Sequence, residues 1–230
     1  MSKKDFQIIK GHKHIPYRPQ KYPEDEMIDR AKGFYEMARG RRTIRAFSKK
    51  PIPKEIMTDL IRTAGTSPSG AHKQPWTFCL VSNPVIKKQI RIAAEEEEYQ
   101  SYHKRMSKEW LKDLEPMGTD WNKPFIETAP WLIVAFRKIY DMDENGFKTN
   151  NYYVTESIGL ACGMLLLAIN NAGLSALTHT PSPMNFLSSI LDRPDNERPF
   201  LLIPVGYADD DAYVPDIHRK ELDDICIVYE

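Results

Sequence analysis

Trp131-Leu132-Ile133-Val134-Ala135-Phe136 is the stretch on which the fold turns. Six consecutive apolar residues, rich in aromatic and β-branched types, are too short for a buried helix and read as a central strand covered on both faces. Outward from it toward the N-terminus, residues 76–82 form a second strand of the same doubly buried kind. The segment before it, Gly65-Thr66-Ser67-Pro68-Ser69-Gly70-Ala71, has the composition of a loop in which backbone shape is specified. Pro84 opens a long helix whose early apolar positions are Val85, Ile86, Ile90 and Ala94.

Residues 95–125 are charged or polar yet carry Tyr102, Trp110 and Trp121. That mixture suits a lid, which must be soluble when open and cover something apolar when closed. On the C-terminal side of the central strand, residues 151–171 read as a helix that is apolar nearly all round. Such a helix belongs in a core or a subunit interface. A membrane span competes with that reading, but the apolar run is short and ends in Asn170-Asn171. A strand over 173–178, a short helix over 185–191 and a strand over 200–207 follow. The tail, Ile225-Cys226-Ile227-Val228-Tyr229, is β-prone and needs a sheet edge to join, in its own chain or a neighbour's.

Two more helices are predicted before all of this, over 23–40 with Met27, Ala31, Phe34 and Met37 at helical spacing, and over 53–64. Residues 1–21 read as an extended arm. Interleaved helices and strands without repeats give an α+β fold, an α/β sandwich, with one domain over 22–230.

Composition narrows the function. Of the 230 residues 41% are hydrophobic and 28% charged, an ordinary globular balance. Lysine plus arginine equals aspartate plus glutamate at 32 each, so no global positive field exists to collect nucleic acid. No signal-like apolar run follows Met1, so a cytoplasmic location is expected, with no membrane partner. The three cysteines, Cys79, Cys162 and Cys226, have no metal or redox spacing and are expected to be buried thiols. The six histidines show no metal-ligand grouping, and the nucleophile elbow of serine hydrolases is absent.

Four groups of residues carry chemistry. Arg41, Arg42 and Arg45 surround the hydroxyl of Thr43, and guanidinium forks of this kind cradle a terminal phosphate, although a solvated charge run looks the same. No Walker or dinucleotide fingerprint accompanies them, which removes the commonest ATP and NAD readings and leaves a mononucleotide open. Ser69-Gly70-Ala71 either presents backbone amides to an anion or is simply a turn. Glu98 and Tyr102 share a helical face, and with Lys123 they could clamp a zwitterion; the alternative is a solvent-facing pair. Thr178, His179 and Thr180 follow a strand, where a hydroxyl either faces a cofactor or caps the next helix.

Arg41-Arg42-Thr43-Ile44-Arg45, the run from Ile61 to His72 with Gln74-Pro75-Trp76-Thr77-Phe78, and Leu202-Ile203-Pro204-Val205-Gly206-Tyr207 closely resemble the iodotyrosine deiodinases of the nitroreductase superfamily. The likeness runs from about residue 20 to the end. The arginines and the Pro-Ser-Gly loop are general to the superfamily, and Glu98, Tyr102 and Lys123 in their context narrow the match.

The resemblance implies a nitroreductase-like fold, with a central mixed sheet flanked by helices, and FMN bound at the interface of an intertwined homodimer. It assigns Arg41, Arg42, Thr43, Arg45 and Arg219 to the phosphate, and Ser69 and Gly70 to the flavin. The Ala71 amide would receive a substrate phenolate, and Glu98, Tyr102 and Lys123 the amino-acid zwitterion. Thr180 would face flavin N5, with Thr178 as second choice, and His179 stands between them as a departure from the threonine-rich animal pattern. The active-site lid would span about 95–125 and a C-terminal extension about 208–230.

The implied reaction is reductive dehalogenation of a halotyrosine by reduced FMN in single-electron steps, with an external electron donor or partner reductase. The chain lacks the membrane anchor of the animal members, so a soluble bacterial-type form acting on chloro- or bromotyrosine is expected. A general FMN-dependent NAD(P)H nitroreductase and a non-enzymatic flavin-binding protein are the rival readings.

Overall fold

The computed structural model describes residues 5–230, so the first four residues of the arm lie outside it. The chain forms two compact units, divided after Arg39. In the first, the arm is a short hairpin of β1 (Gln7–Ile9) and β2 (His12–His14), turned by Lys10 and Gly11, both at positive φ. That pair of left-handed residues matches the strand twist of a two-residue hairpin. The helix α1 (Glu24–Arg39) carries acids in its first turn and Arg39 in its last, in keeping with its dipole. Its Met27 and Phe34 remain exposed.

The second unit, Gly40–Glu230, contains the sheet. Its elements are α2 (Lys54–Gly65), β3 (Trp76–Val81), α3 (Pro84–Gln100), α4 (Lys108–Leu114), α5 (Phe125–Thr128), β4 (Trp131–Lys138), β5 (Tyr140–Met142), β6 (Lys148–Asn150), α6 (Val154–Asn171), β7 (Ser175–Ala176), α7 (Asn185–Ile190) and β8 (Glu197–Gly206). The start of α3 follows from its sequence: Pro84 occupies the first turn, and the Asn83 side chain accepts hydrogen bonds from the Val85 and Ile86 amides.

The sheet order is β3-β4-β8-β7, with all three pairings antiparallel. Its one parallel contribution is the bridge from Thr43 to Ala176, which adds the arginine segment beside β7. β4 is central, as its apolar run requires, and Leu132 through Phe136 are fully buried. Alternation divides them between two layers. Leu132, Val134 and Phe136 pack with Ile90, Ala94, Phe125, Ile126 and Leu187 from α3, α5 and α7, whereas Ile133 packs with Met57, Leu60, Leu165 and Ile169 from α2 and α6. Each large side chain so buried contributes about 1.5–3 kcal/mol.

Three local expectations change. β3 is an edge strand, so most of its residues are half-buried rather than covered on both faces. The strand expected over 173–178 pairs only at Ser175–Ala176, and the chain returns to the sheet at a single bridge between His179 and Leu202. The β-prone tail finds no edge in its own chain, and Ile225, Ile227, Val228 and Tyr229 are exposed. Cys226 is therefore exposed too and Cys79 half-buried, and only Cys162 is the buried thiol expected of all three, its pKa pushed up to about 12 by burial. The hairpin β5–β6 has no counterpart among the predicted elements.

By length and composition α6 could cross a bilayer, being 18 residues with mean hydropathy 1.3. Its buried residues Ile158, Ala161, Cys162, Leu165 and Ile169 belong to the core instead.

Gly206 at the end of β8 bears directly on the site. A Cβ there would meet Pro130 Cδ at 2.8 Å and Phe47 Cδ1 at 2.9 Å. Only glycine lets the segment following the arginines close on the sheet, where Ser48 donates to the Tyr207 carbonyl at 3.0 Å.

Candidate functional site

The arginine segment has no regular structure of its own and is held by stitches to the sheet. Thr43 bridges Ala176, the Ile44 amide donates to the Ala176 carbonyl at 3.3 Å, and Phe47 bridges Ala208. This backbone support presents the arginines to a cavity of about 170 Å³ that the C-terminal extension completes. Arg41, Arg42, Thr43 and Arg45 line it from one side, and Pro215, His218 and Arg219 from the other. Arg42 donates to the Pro215 carbonyl, and Arg219 to the Arg41 carbonyl at 3.0 Å.

No carboxylate lines the cavity. Burial, Arg219 and Arg42 together hold the Arg41 guanidinium below its usual pKa, the signature of crowded like charge. Four guanidiniums, a hydroxyl and no counter-charge fit a phosphate monoester such as that of FMN.

The loop expected to present amides is a tight turn over Gly70–His72 in which Ala71, His72 and then Gln74 adopt positive φ. Three amides of the turn are used internally: His72 donates to Ser69 O, Lys73 to Gly70 O and Gln74 to Ser69 Oγ. The exposed Ala71 amide has no partner among the described residues, as an anion-receiving group requires. Gly70 is obligatory for a second reason: a Cβ there would lie 2.8 Å from the Tyr153 ring and 3.0 Å from the Tyr152 carbonyl.

Thr178, His179 and Thr180 run extended past β8, His179 exchanging backbone hydrogen bonds with Leu202 at 2.8 and 3.0 Å. Alternation then assigns the faces. Both threonines are exposed on one side and the imidazole is buried on the other.

Glu98, Tyr102 and Lys123 meet, although Glu98 lies in α3, Tyr102 in the π-turn Ser101–Arg105, and Lys123 beyond α4. Lys123 Nζ lies 3.4 Å from Glu98 Oε2 and 5.2 Å from the Tyr102 ring centre. Glu98 and Lys123 are both buried. Burial raises the Glu98 pKa against the pull of Lys123, and burial lowers the Lys123 pKa against the pull of Glu98. Desolvation is thus the leading influence on both members of the pair. Burial also raises the Tyr102 pKa, keeping its hydroxyl protonated as it donates to the Thr119 carbonyl at 3.3 Å.

Arg45 ties the clamp to the cavity. It lines the cavity and acts electrostatically on Tyr102, Lys123 and His179.

Several supporting residues left no trace in the sequence. Glu95 accepts the Lys123 amide at 2.7 Å while Arg91 holds Glu95 at 2.8 Å, fixing the backbone that carries the lysine. Buried Lys87 donates to the carbonyls of Glu127 and Ala129 at 2.8 and 2.7 Å, tying the end of α5 to α3. Arg105 bonds Glu97 and the Ser182 carbonyl, and Tyr99 packs against His103 and Trp121. The Arg105 bond to Ser182 ties the segment after α3 to the loop that carries Thr180. Among the described residues no cluster of His, Cys, Asp or Glu could hold a metal.

Known proteins of similar sequence and structure place the chain in a family. The Nitroreductase family profile matches residues 38–207. An iodotyrosine deiodinase of Haliscomenobacter hydrossis is 57% identical over 215 residues, covering 94% of this chain and 97% of that protein. Iodotyrosine deiodinase 1 of Homo sapiens is 45% identical over 217 residues, covering 93% and 74% respectively. A crystal structure of oxidized iodotyrosine deiodinase bound to FMN and 3-iodo-L-tyrosine superimposes with a TM-score of 0.73 at 31% identity, over 86% of this chain and 98% of that one. The fold extends to an FMN-dependent nitroreductase of Mycobacterium smegmatis, with a TM-score of 0.67 at 19% identity over 88% of this chain and all of that one. The chain belongs to the nitroreductase family and, within it, to the iodotyrosine deiodinases.

Proposed function

We propose that this chain is an FMN-dependent reductive dehalogenase that converts a halotyrosine to tyrosine and halide. The observation that carries the reading is the cluster of buried Glu98 and Lys123 with half-buried Tyr102, within electrostatic reach of a cationic cavity through Arg45. The cavity's arginines and Thr43 would hold the FMN phosphate, and Ser69 and Gly70 would lie along the flavin. Thr178 and Thr180 present hydroxyls on one face of an extended segment and would be the flavin-facing donors.

Reduced FMN supplies two electrons; with one proton they exchange the aryl carbon–halogen bond for a carbon–hydrogen bond and release halide. The chain's residues orient and protect the substrate. Glu98 takes the substrate ammonium and Lys123 with Tyr102 the carboxylate, each exchanging a protein partner for a substrate one. The Ala71 amide meets the phenolate, whose negative charge the left-handed turn is built to receive. The lid excludes water from the reacting ring while its latches to Ser182 persist.

The same reading makes the protein a homodimer. Met27 and Phe34 of α1, Leu160 of α6 and the apolar tail are exposed in the single chain and would be covered by a second copy. Cytoplasmic location accords with the exposed, unpaired Cys226 thiol. Electrons would come from an external donor or partner reductase.

Anaerobic halide release from iodo-, bromo- and chlorotyrosine by the dithionite-reduced, FMN-loaded protein tests the reading. Stoichiometric halide and tyrosine are expected from at least one of the three. Reduced flavin that releases no halide from any of them overturns it.

A further inference from the structure

His179 is the one residue of the threonine segment whose side chain turns inward, and the dehalogenation chemistry proposed above makes no use of it. Its ring is buried, lying edge-on to Phe125 with centroids 5.6 Å apart. Its Nε2 is a fully buried polar atom with no hydrogen-bond partner among the described residues. Such an atom normally finds one, and an unpaired nitrogen beside a site marks a contact made in another state of that site.

Among the described residues the ring has one ion-pair contact, with Glu98. Glu98 Oε1 lies 3.8 Å from Nε2, slightly beyond hydrogen-bond length, while Oε2 of the same carboxylate faces Lys123 at 3.4 Å. The two oxygens of Glu98 thus face two different neighbours. The charged groups around the ring are Glu98, Lys123 and Arg45. Burial and the two cations push the imidazole pKa down to about 3, so the ring is neutral at any working pH.

A neutral donor is what this position calls for. A cation here would compete with the substrate ammonium for Glu98, whereas an apolar residue would leave Oε1 buried and unpaired once Lys123 turned to the substrate carboxylate. We propose that His179 is a positioning residue for the zwitterion clamp, its uncharged Nε2–H closing on Glu98 Oε1 as the substrate ammonium replaces Lys123 on the other oxygen. Selectivity for the amino-acid end of the substrate is thereby set in part from the extended segment that carries Thr178 and Thr180. Its backbone is anchored to Leu202, so the ring is carried by the sheet while it packs against Phe125. The inference rests on the reading of Glu98 as the ammonium partner.

The test uses oxidised, FMN-loaded protein, titrated by flavin fluorescence with 3-iodotyrosine and with its analogue lacking the ammonium, 3-iodo-4-hydroxyphenylpropionate. His179→Phe should weaken iodotyrosine binding by roughly tenfold, the size of a lost hydrogen bond to a charged group, and leave the analogue unchanged. His179→Gln, which keeps a neutral donor, should recover most of the loss. In a Glu98→Gln background, His179→Phe should have no further effect. If Glu98→Gln weakens both ligands alike, the clamp reading itself falls. If Glu98→Gln separates the ligands but His179→Phe affects neither, or both equally, the His179 assignment is overturned and the clamp stands. FMN affinity and the thermal midpoint report folding; should His179→Phe lose FMN, His179→Asn, polar but too short to reach Glu98, replaces it with the same expected result.

Discussion

The cationic cavity and the zwitterion clamp are both charged, and they handle charge in opposite ways. In the cavity four guanidiniums face one another with no carboxylate in the lining, held by backbone stitches to the sheet and to the tail. In the clamp the charges already satisfy each other, Glu98 against Lys123, and the groups sit on a lid attached through side-chain latches. The difference teaches what each site does. Uncompensated charge on a fixed backbone would seat a bound anion, whereas under the proposed function the buried pair would give up its partners to the substrate.

Breaking the clamp should give the largest effect. Glu98→Gln is expected to cost about 2–5 kcal/mol in halotyrosine binding while FMN binding is unchanged, measured by parallel titrations of the two ligands. Equal losses for both would mean that the two sites are one unit and the contrast is false. Breaking the cavity comes next. Arg41→Gln should cost roughly 1.5–3 kcal/mol in FMN affinity, read by fluorescence on reconstitution of the apoprotein, with lid and fold intact. An unchanged FMN affinity would remove Arg41 from the phosphate site.

The lid's attachment offers a smaller, mixed effect. Lys87→Met leaves the Glu127 and Ala129 carbonyls without their donor, and urea unfolding should show a loss of about 1–3 kcal/mol. Halotyrosine affinity should fall with it more than FMN affinity does, because α5 leads directly from Lys123.

A pH dependence separates the two sites further. Glu98 has a raised pKa in the folded chain, so halotyrosine binding should weaken as pH falls, beginning above the ordinary value of 4.5, and Glu98→Gln should abolish that limb. For stability the dominant group is His179. Its folded pKa is depressed from 6.5 to about 3, so the unfolded chain binds the extra proton in that window. Stability is therefore full above about pH 6.5 and lost as pH falls toward 3. His179→Gln should flatten the stability profile by up to about one proton per molecule across that range. An identical acid slope in the variant would mean that the imidazole titrates normally.

Much of the framework was legible because its causes are local. The run from Leu132 to Phe136 read as a central strand, and Pro84 announced the start of α3. The density of the arginines permitted an anion site without distinguishing it from a solvated charge run. Where readings failed, a partner distant in sequence decided. β3 looked doubly buried because its composition resembles β4, but sheet order put it at the edge. The tail looked like a strand and found no edge, which left Cys226 exposed. Lys87 and Glu95 looked like any helical surface residues and turned out to tether the lid.

The zwitterion clamp marks the boundary between the two kinds of information. Sequence by itself determined which charged and hydroxyl groups are present, and the helical and strand periods that carry them, since side-chain chemistry and backbone period are properties of a few adjacent residues. Tertiary structure alone decided that Glu98 and Lys123 face each other in a dry site, that Arg219 and Pro215 close the arginine cavity, and that His179 turns inward while its flanking threonines turn out. The strength and availability of a charge depend on what surrounds it, and that is set only when distant segments pack.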